Sequence, residues 1–314
     1  MSGSHMMTKQ STSKLFTGLS AFPLTPTDAA GTVLADVHCH LLENIQAAGA
    51  DSIGLLGSTG GYAYLRREER QRTVRAAVEC IGGRTPIIVG VGALRTDEAQ
   101  MLARDARTAG ADGLLLAPMS YTPLTDEEVF QHFAAVAEAG GLPLCIYNNP
   151  STTKFTFSDD LIGRLAKLPN VAAVKMPLPA NGDFAGEMER LRAMTPDSFV
   201  VGYSGDWGAT DALLAGCDAW YSVVAGLLPA PALALTRAAQ AGDRSEAARI
   251  NAAFQPLWGL FRAFGSFRVM YAMADLLGFS RIEPPRPILP LSPEARSRVH
   301  EALQHLRSAG SFIP

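Results

Sequence analysis

Charge is scarce in this chain. Only 18% of its 314 residues are Asp, Glu, Lys or Arg, and the formal net charge is −3. That balance gives no electrostatic motive for a polyanionic partner, and no Lys/Arg block is long enough to suggest nucleic-acid binding. Cysteine is rare too. The four residues, at 39, 80, 145 and 217, are too scattered for a zinc site or a disulfide framework, so a reducing cytoplasm is the default expectation. Long apolar runs are missing. The longest, Trp220 to Leu235, has sixteen residues and contains Ser222, Pro229 and Pro231; a spanning helix needs roughly 18. No basic segment followed by an apolar one suggests a secretion signal, and no membrane association is expected. Residues Met1 to Met6 read as a tag-cleavage scar, with the native start at Met7.

Apolar residues, by contrast, make up 47% of the chain, a core-rich globular composition rather than a disordered one. A short phrase recurs three times: Ala48-Gly49-Ala50-Asp51, Ala109-Gly110-Ala111-Asp112 and Ala215-Gly216-Cys217-Asp218. Each reads as a helix end with Gly at C′, followed at once by an apolar run of strand length. Five more such runs are Thr17 to Phe22, Pro86 to Val91, Pro143 to Tyr147, Val171 to Lys175 and Phe199 to Tyr203. Strand starts then fall near residues 17, 52, 86, 113, 143, 171, 199 and 217, a spacing of about 29 that suits one βα unit. Continuous apolar strands imply burial on both faces and parallel pairing under helices. Between them, Leu34, Val37, Leu41, Ile45 and Ala48 form a helical stripe. The fold expected is α/β: a (β/α)₈ TIM barrel over residues 14–241, a tail at 1–13, and a C-terminal helical region at 242–314. That region is predicted to hold helices at Arg244 to Phe264, Phe267 to Leu277 and Pro293 to Ala309, after an eighth barrel helix at Pro229 to Ala241.

Chemistry in such a barrel sits at the C-terminal ends of strands. Strand 2 ends in Gly57-Ser58-Thr59-Gly60-Gly61, either an anion cradle of N–H and hydroxyl donors or a tight turn with a helix cap. Strand 5 ends in Tyr147-Asn148-Asn149-Pro150; Tyr147 is either a general acid/base or a barrel-mouth aromatic. Strand 6 ends in Lys175, one of only five lysines. Lysines are almost never fully buried without a partner or a purpose, and an amine on an apolar strand end is a candidate Schiff-base nucleophile. The alternative is a lysine that reaches solvent or pairs with a carboxylate.

Together these elements resemble the dihydrodipicolinate synthase/N-acetylneuraminate lyase family of class I, pyruvate-utilising barrel lyases and aldolases. The resemblance runs from Leu19-Ser20-Ala21-Phe22-Pro23-Leu24-Thr25-Pro26 through Gly57-Ser58-Thr59-Gly60, Tyr147-Asn148-Asn149-Pro150, Val174-Lys175 and Ser204-Gly205-Asp206 to Pro285-Arg286-Pro287-Ile288-Leu289-Pro290. It implies that Lys175 forms an imine with pyruvate or another 2-oxo acid and that Tyr147 shuttles the proton. Ser58 would relay protons to Tyr147. Thr59, with the neighbouring N–H groups around Gly60, would hold the carboxylate, and the backbone of Tyr221 would lie near pyruvate. No metal or other cofactor is implied. An oligomer is, at least a dimer and commonly a tetramer.

The chain departs from the family in the second-substrate half of its site. The usual glutamate after the glycine-threonine motif is Gly61. The synthases' strand 4 tyrosine pair becomes Ser120-Tyr121, so Ser120 holds the relay position and Tyr121 is one place late. Their arginine for the aldehyde's carboxylate becomes Thr152. Aspartate semialdehyde is therefore expected to be a poor substrate, with a genuine 4-hydroxy-tetrahydrodipicolinate synthase as the alternative. Tyr62, Tyr64, Arg67 and Arg70 stand where some synthases bind lysine; two rings and two extra cations should disfavour lysine inhibition. Two other classes fit the sequence less well. A metal-dependent amidohydrolase has its cue in His38-Cys39-His40, but these fall inside a helical stripe, where i and i+2 diverge. A non-catalytic 2-oxo-acid-binding barrel would have no need of Lys175 and Tyr147.

Overall fold

The eight apolar runs become eight strands. The computed structural model describes residues 14–279 and 282–310, so the expected tail at 1–13 lies outside the described residues. The strands are β1 (Gly18–Ala21), β2 (Ser52–Leu55), β3 (Ile87–Gly90), β4 (Gly113–Leu116), β5 (Leu144–Tyr147), β6 (Val171–Met176), β7 (Val200–Tyr203) and β8 (Ala219–Ser222). All pair in parallel, in sequence order, and β8 closes on β1. A barrel helix follows each strand, with a further one-turn helix, Pro150–Thr153, ahead of the fifth: α1 (Ala35–Ala48), α2 (Arg67–Ile81), α3 (Thr96–Ala109), α4 (Asp126–Gly140), α5 (Asp159–Leu165), α6 (Phe184–Met194), α7 (Ala209–Leu214) and α8 (Pro229–Gln240). The C-terminal helices are α9 (Arg244–Phe264), α10 (Ser266–Leu276) and α11 (Pro293–Ser308); α9 packs on α8 and α11.

Period-two alternation sorts the strand side chains into two cores. Ile88, Leu115, Cys145, Tyr147, Ala173, Val200, Ala219 and Tyr221 fill the barrel interior. Their neighbours Val89, Leu114, Ile146, Val174, Val201 and Trp220 pack outward against the helices.

The recurring phrase has a structural function beyond its glycine. Gly49, Gly110 and Gly216 do take positive φ (85°, 95° and 93°). The aspartate two residues later then accepts a backbone N–H at the start of the preceding strand. Asp51 takes Leu19 N at 2.7 Å, Asp112 takes Ile87 N at 2.8 Å and Asp218 takes Val201 N at 2.8 Å. Each carboxylate thus fixes the register of one strand pair at the barrel's floor. Strand 8 is shorter than its apolar run, which predicts extension to Val224. The chain instead turns after Ser222, because the Asp206 carboxylate captures the N–H groups of Val223 and Val224.

Candidate active site

Alternation aims Lys175 into the barrel. Ala173 is interior and Val174 exterior, so Lys175 points inward again, and it is 3% exposed. The β5–β6 register sets it directly opposite Tyr147. Its Nζ lies 3.8 Å from the centroid of the Phe22 ring, 4.4 Å from that of Tyr147 and 5.8 Å from that of Tyr221. It forms no ion pair among the described residues. The lysine is therefore neither solvent-reaching nor salt-bridged; it stands among aromatic rings. Gly54 on β2 makes room for this arrangement, since a Cβ there would come within 2.3 Å of the Phe22 ring.

Tyr147 is held at its hydroxyl. Asn149 Nδ2 donates to it at 2.9 Å, and Ser58 Oγ lies 3.2 Å away, able to give or take the proton. Ser58 reaches this point because β2 ends in a sharp turn. Leu56 sits at φ 55°, a left-handed conformation uncommon for a branched residue, and the chain folds back so closely that a Cβ on Gly60 would meet Leu56 N at 2.9 Å. Thr59, in the same turn, is buried at 5% exposure.

The remaining expected site residues scatter. Tyr221 points its ring to the barrel floor, where its hydroxyl donates to Phe16 O at 3.3 Å. Thr152 lies on a one-turn helix, Pro150–Thr153, and donates to Asn149 O at 3.2 Å. Ser120 donates to Thr122 O. Tyr121 is 97% exposed and stays outside this chain's own cavity. Thr152 and Ser120 do line a chamber of about 380 Å³ that opens above Ser58.

Several contributors carry no expected role. Asn149 had no signal beyond its place in the strand 5 motif. Phe22 lay in the first motif without a function. Phe267 and Ile288 enter the chamber wall from the C-terminal region, a contact no local pattern announces. Asp206 is fully buried below the mouth, accepting from Trp220 Nε1 at 3.0 Å, Val223 N at 3.1 Å and Val224 N at 2.7 Å. Burial pushes its carboxyl up to about 6, against the pull of those donors and of the Lys175 charge.

The two extra cations near the motif need a correction. Arg67 pairs with Asp105 through Nε and Nη2 at 2.7 and 2.9 Å. Arg70 is buried and donates to Gly90 O at 2.8 Å and Gly92 O at 3.0 Å. The Arg67 charge is thus offset by a carboxylate, while the Arg70 guanidinium is spent on backbone carbonyls inside the fold and is not presented at the surface. What remains of that expectation is the bulk of Tyr62 and Tyr64. Burial, with Tyr147 nearby, pushes the Tyr62 phenol up to about 12. The histidine pair diverges as helical geometry requires: His38 is fully buried and His40 exposed on α1.

A closed parallel barrel with a buried lysine at a strand end, opposite a tyrosine whose hydroxyl Ser58 and Asn149 hold, has the make-up of a lyase of the class I aldolase type. The model of the dihydrodipicolinate synthetase family matches residues 15–306, and the chain belongs to that family. A 4-hydroxy-tetrahydrodipicolinate synthase of Synechococcus elongatus is 35% identical over 286 residues, covering 90% of this chain and 94% of the relative. The crystal structure of a dihydrodipicolinate synthase from Agrobacterium tumefaciens is 61% identical, with TM-score 0.93 over 94% of this chain and 99% of that one. A putative dihydrodipicolinate synthetase from Pseudomonas aeruginosa is 29% identical, with TM-score 0.87 over 93% and 99%. The protein is accordingly a lyase of the class I aldolase type. No helix among its described residues is long and apolar enough to cross a membrane.

Proposed function

We propose that Lys175 forms a Schiff base with pyruvate or a longer 2-oxo acid and that Tyr147 moves the protons. The observation that carries this reading is the register pairing of the two residues, with the tyrosine hydroxyl held by Ser58 and Asn149. The amine attacks the ketone carbon, and water leaves as the imine forms. The imine draws electrons from the adjacent methyl, which loses a proton and becomes an enamine. The enamine carbon forms a bond to an aldehyde carbon while the aldehyde oxygen gains a proton. Water then cleaves the imine, releasing a 4-hydroxy-2-oxo acid and the free lysine. The reverse sequence cleaves such an acid. Thr59 and the N–H groups of its turn are assigned to the carboxylate, and the backbone of Tyr221 to the floor of the pyruvate site.

The half-reaction tests this without any aldehyde. In D₂O the enzyme should exchange the methyl protons of pyruvate, followed by proton NMR. Lys175→Ala should abolish exchange, and Lys175→Arg should too, since a guanidinium stays protonated. Exchange at the wild-type rate in Lys175→Ala would refute the reading.

A second reading is a genuine 4-hydroxy-tetrahydrodipicolinate synthase, favoured by the name of the Synechococcus relative. Against it stands Thr152, whose hydroxyl makes no charged, two-pronged contact to a carboxylate. We assign the protein to the cytoplasm and to an oligomer, a dimer or a tetramer. The almost complete exposure of Tyr121 in the strand 4 loop supports a contact there with a second subunit. A stable monomer in sedimentation at micromolar concentration would overturn the oligomer. The bulk of Tyr62 and Tyr64 supports insensitivity to lysine.

A further inference from the structure

The chamber above Ser58 has walls that the half-reaction does not use. Tyr62, Tyr64, Leu94, Met119, Phe267 and Ile288 form its apolar surface. Tyr64 stacks on Phe267 with ring centroids 6.3 Å apart and planes 23° apart. The polar residues of its lining all carry hydroxyls: Ser58, Ser120, Thr152 and Thr153, besides the two tyrosines. Among the described residues no carboxylate, ammonium or guanidinium lines the chamber. Arg70 lies behind the Tyr62 ring, 5.4 Å from its centroid, with its donors on two backbone carbonyls.

At about 380 Å³ the chamber suits a small organic molecule. A carboxylate entering it would shed water with no cation to meet it, which is unfavourable. An aromatic ring would cover apolar wall surface, part of it the exposed faces of Leu94 and Tyr64, and find ring partners in Tyr62 and the Tyr64–Phe267 stack. We propose that the second substrate is an uncharged aldehyde with an aromatic body, or, in the cleavage direction, the 4-hydroxy-2-oxo acid it forms with pyruvate. The proposal rests on the Schiff-base reading, because it is the Lys175 enamine that attacks this aldehyde. The carbon–carbon bond forms at the aldehyde carbon, the aldehyde oxygen is protonated, and no oxidant or reductant is consumed. Hydroxyl substituents on the ring have partners in Ser120 and Thr152.

The test compares kcat/KM for benzaldehyde, succinic semialdehyde and aspartate semialdehyde, each with pyruvate, in the full-length enzyme. Methyl-proton exchange of pyruvate is measured in the same preparation. Benzaldehyde should exceed both semialdehydes by about tenfold or more. Leu94→Arg, at a position 63% exposed and so safe for folding, should shift that ratio toward succinic semialdehyde by about tenfold or more. Phe267→Ala should lower benzaldehyde turnover by a larger factor than it lowers pyruvate exchange. Benzaldehyde turnover equal to or below that of the semialdehydes, or absent, with exchange intact, overturns this inference alone. A ratio unmoved by Leu94→Arg overturns it as well, by placing the aldehyde elsewhere. Loss of pyruvate exchange in the wild-type enzyme would sink the Schiff-base reading itself, and this inference with it.

Discussion

Lys175 has two neighbours with separate tasks, and substitution should separate them. In the proposed mechanism the Phe22 ring supports the amine, whereas Tyr147 handles the proton. Tyr147→Phe keeps the ring against Lys175 and removes the hydroxyl that Ser58 and Asn149 hold. Imine formation should therefore survive, while methyl-proton exchange slows by roughly 10²–10⁴. NMR exchange rates beside borohydride trapping yields check this; equal losses in both would deny Tyr147 its proton-transfer role. The placement of Lys175 and Tyr147 was legible in the sequence because each ends an apolar run of strand length, and strand ends in a barrel are where chemistry collects. Asn149 was not, since one polar residue in a polar turn looks like any other.

At the scale of elements, the barrel floor depends on aspartates that read at first as mere companions of helix-ending glycines. Asp112 accepts the N–H of Ile87 at the start of β3. Asp112→Ala should leave that donor unpaired and lower stability by about 1–3 kcal/mol, measured as a drop in urea midpoint. Asp112→Asn retains an acceptor and should recover most of the loss. The strands themselves were legible: every predicted start falls within two residues of the observed one, because burial on both faces leaves mostly apolar and small residues in the run. The C-terminal helices were legible from their periodicity. The end of β8 was not, because a carboxylate from β7's far end, Asp206, terminates it. The inward reach of Phe267 and Ile288 was equally hidden, being set by how the C-terminal helices dock.

For the whole molecule, two buried titratable groups give stability opposite dependences on pH. Burial holds the His38 imidazole down at about 4, against an ordinary value of 6.5. The unfolded chain then takes up this proton first, so His38's contribution is full above pH 6.5 and is lost as pH falls toward 4. The loss amounts to roughly 3 kcal/mol. Asp206, with its carboxyl raised, works the other way: its ionisation penalty is relieved as pH falls through 6. Comparing wild type with His38→Leu cancels Asp206 and isolates the histidine. The variant's stability relative to wild type should rise by about 3 kcal/mol from pH 7 to pH 4, read from denaturant unfolding at each pH. A constant difference would mean that His38 takes up its proton at the same pH folded and unfolded.

The central claim is that one amine out of five does the covalent chemistry, and trapping tests it most directly. The enzyme is incubated with pyruvate, reduced with borohydride, digested and mapped by mass spectrometry. The expected result is the mass of reduced pyruvate on a single peptide, the one containing Lys175, and no label in Lys175→Ala. Label on Lys154 or Lys167 instead, or no label at all in the wild-type enzyme, would contradict the account.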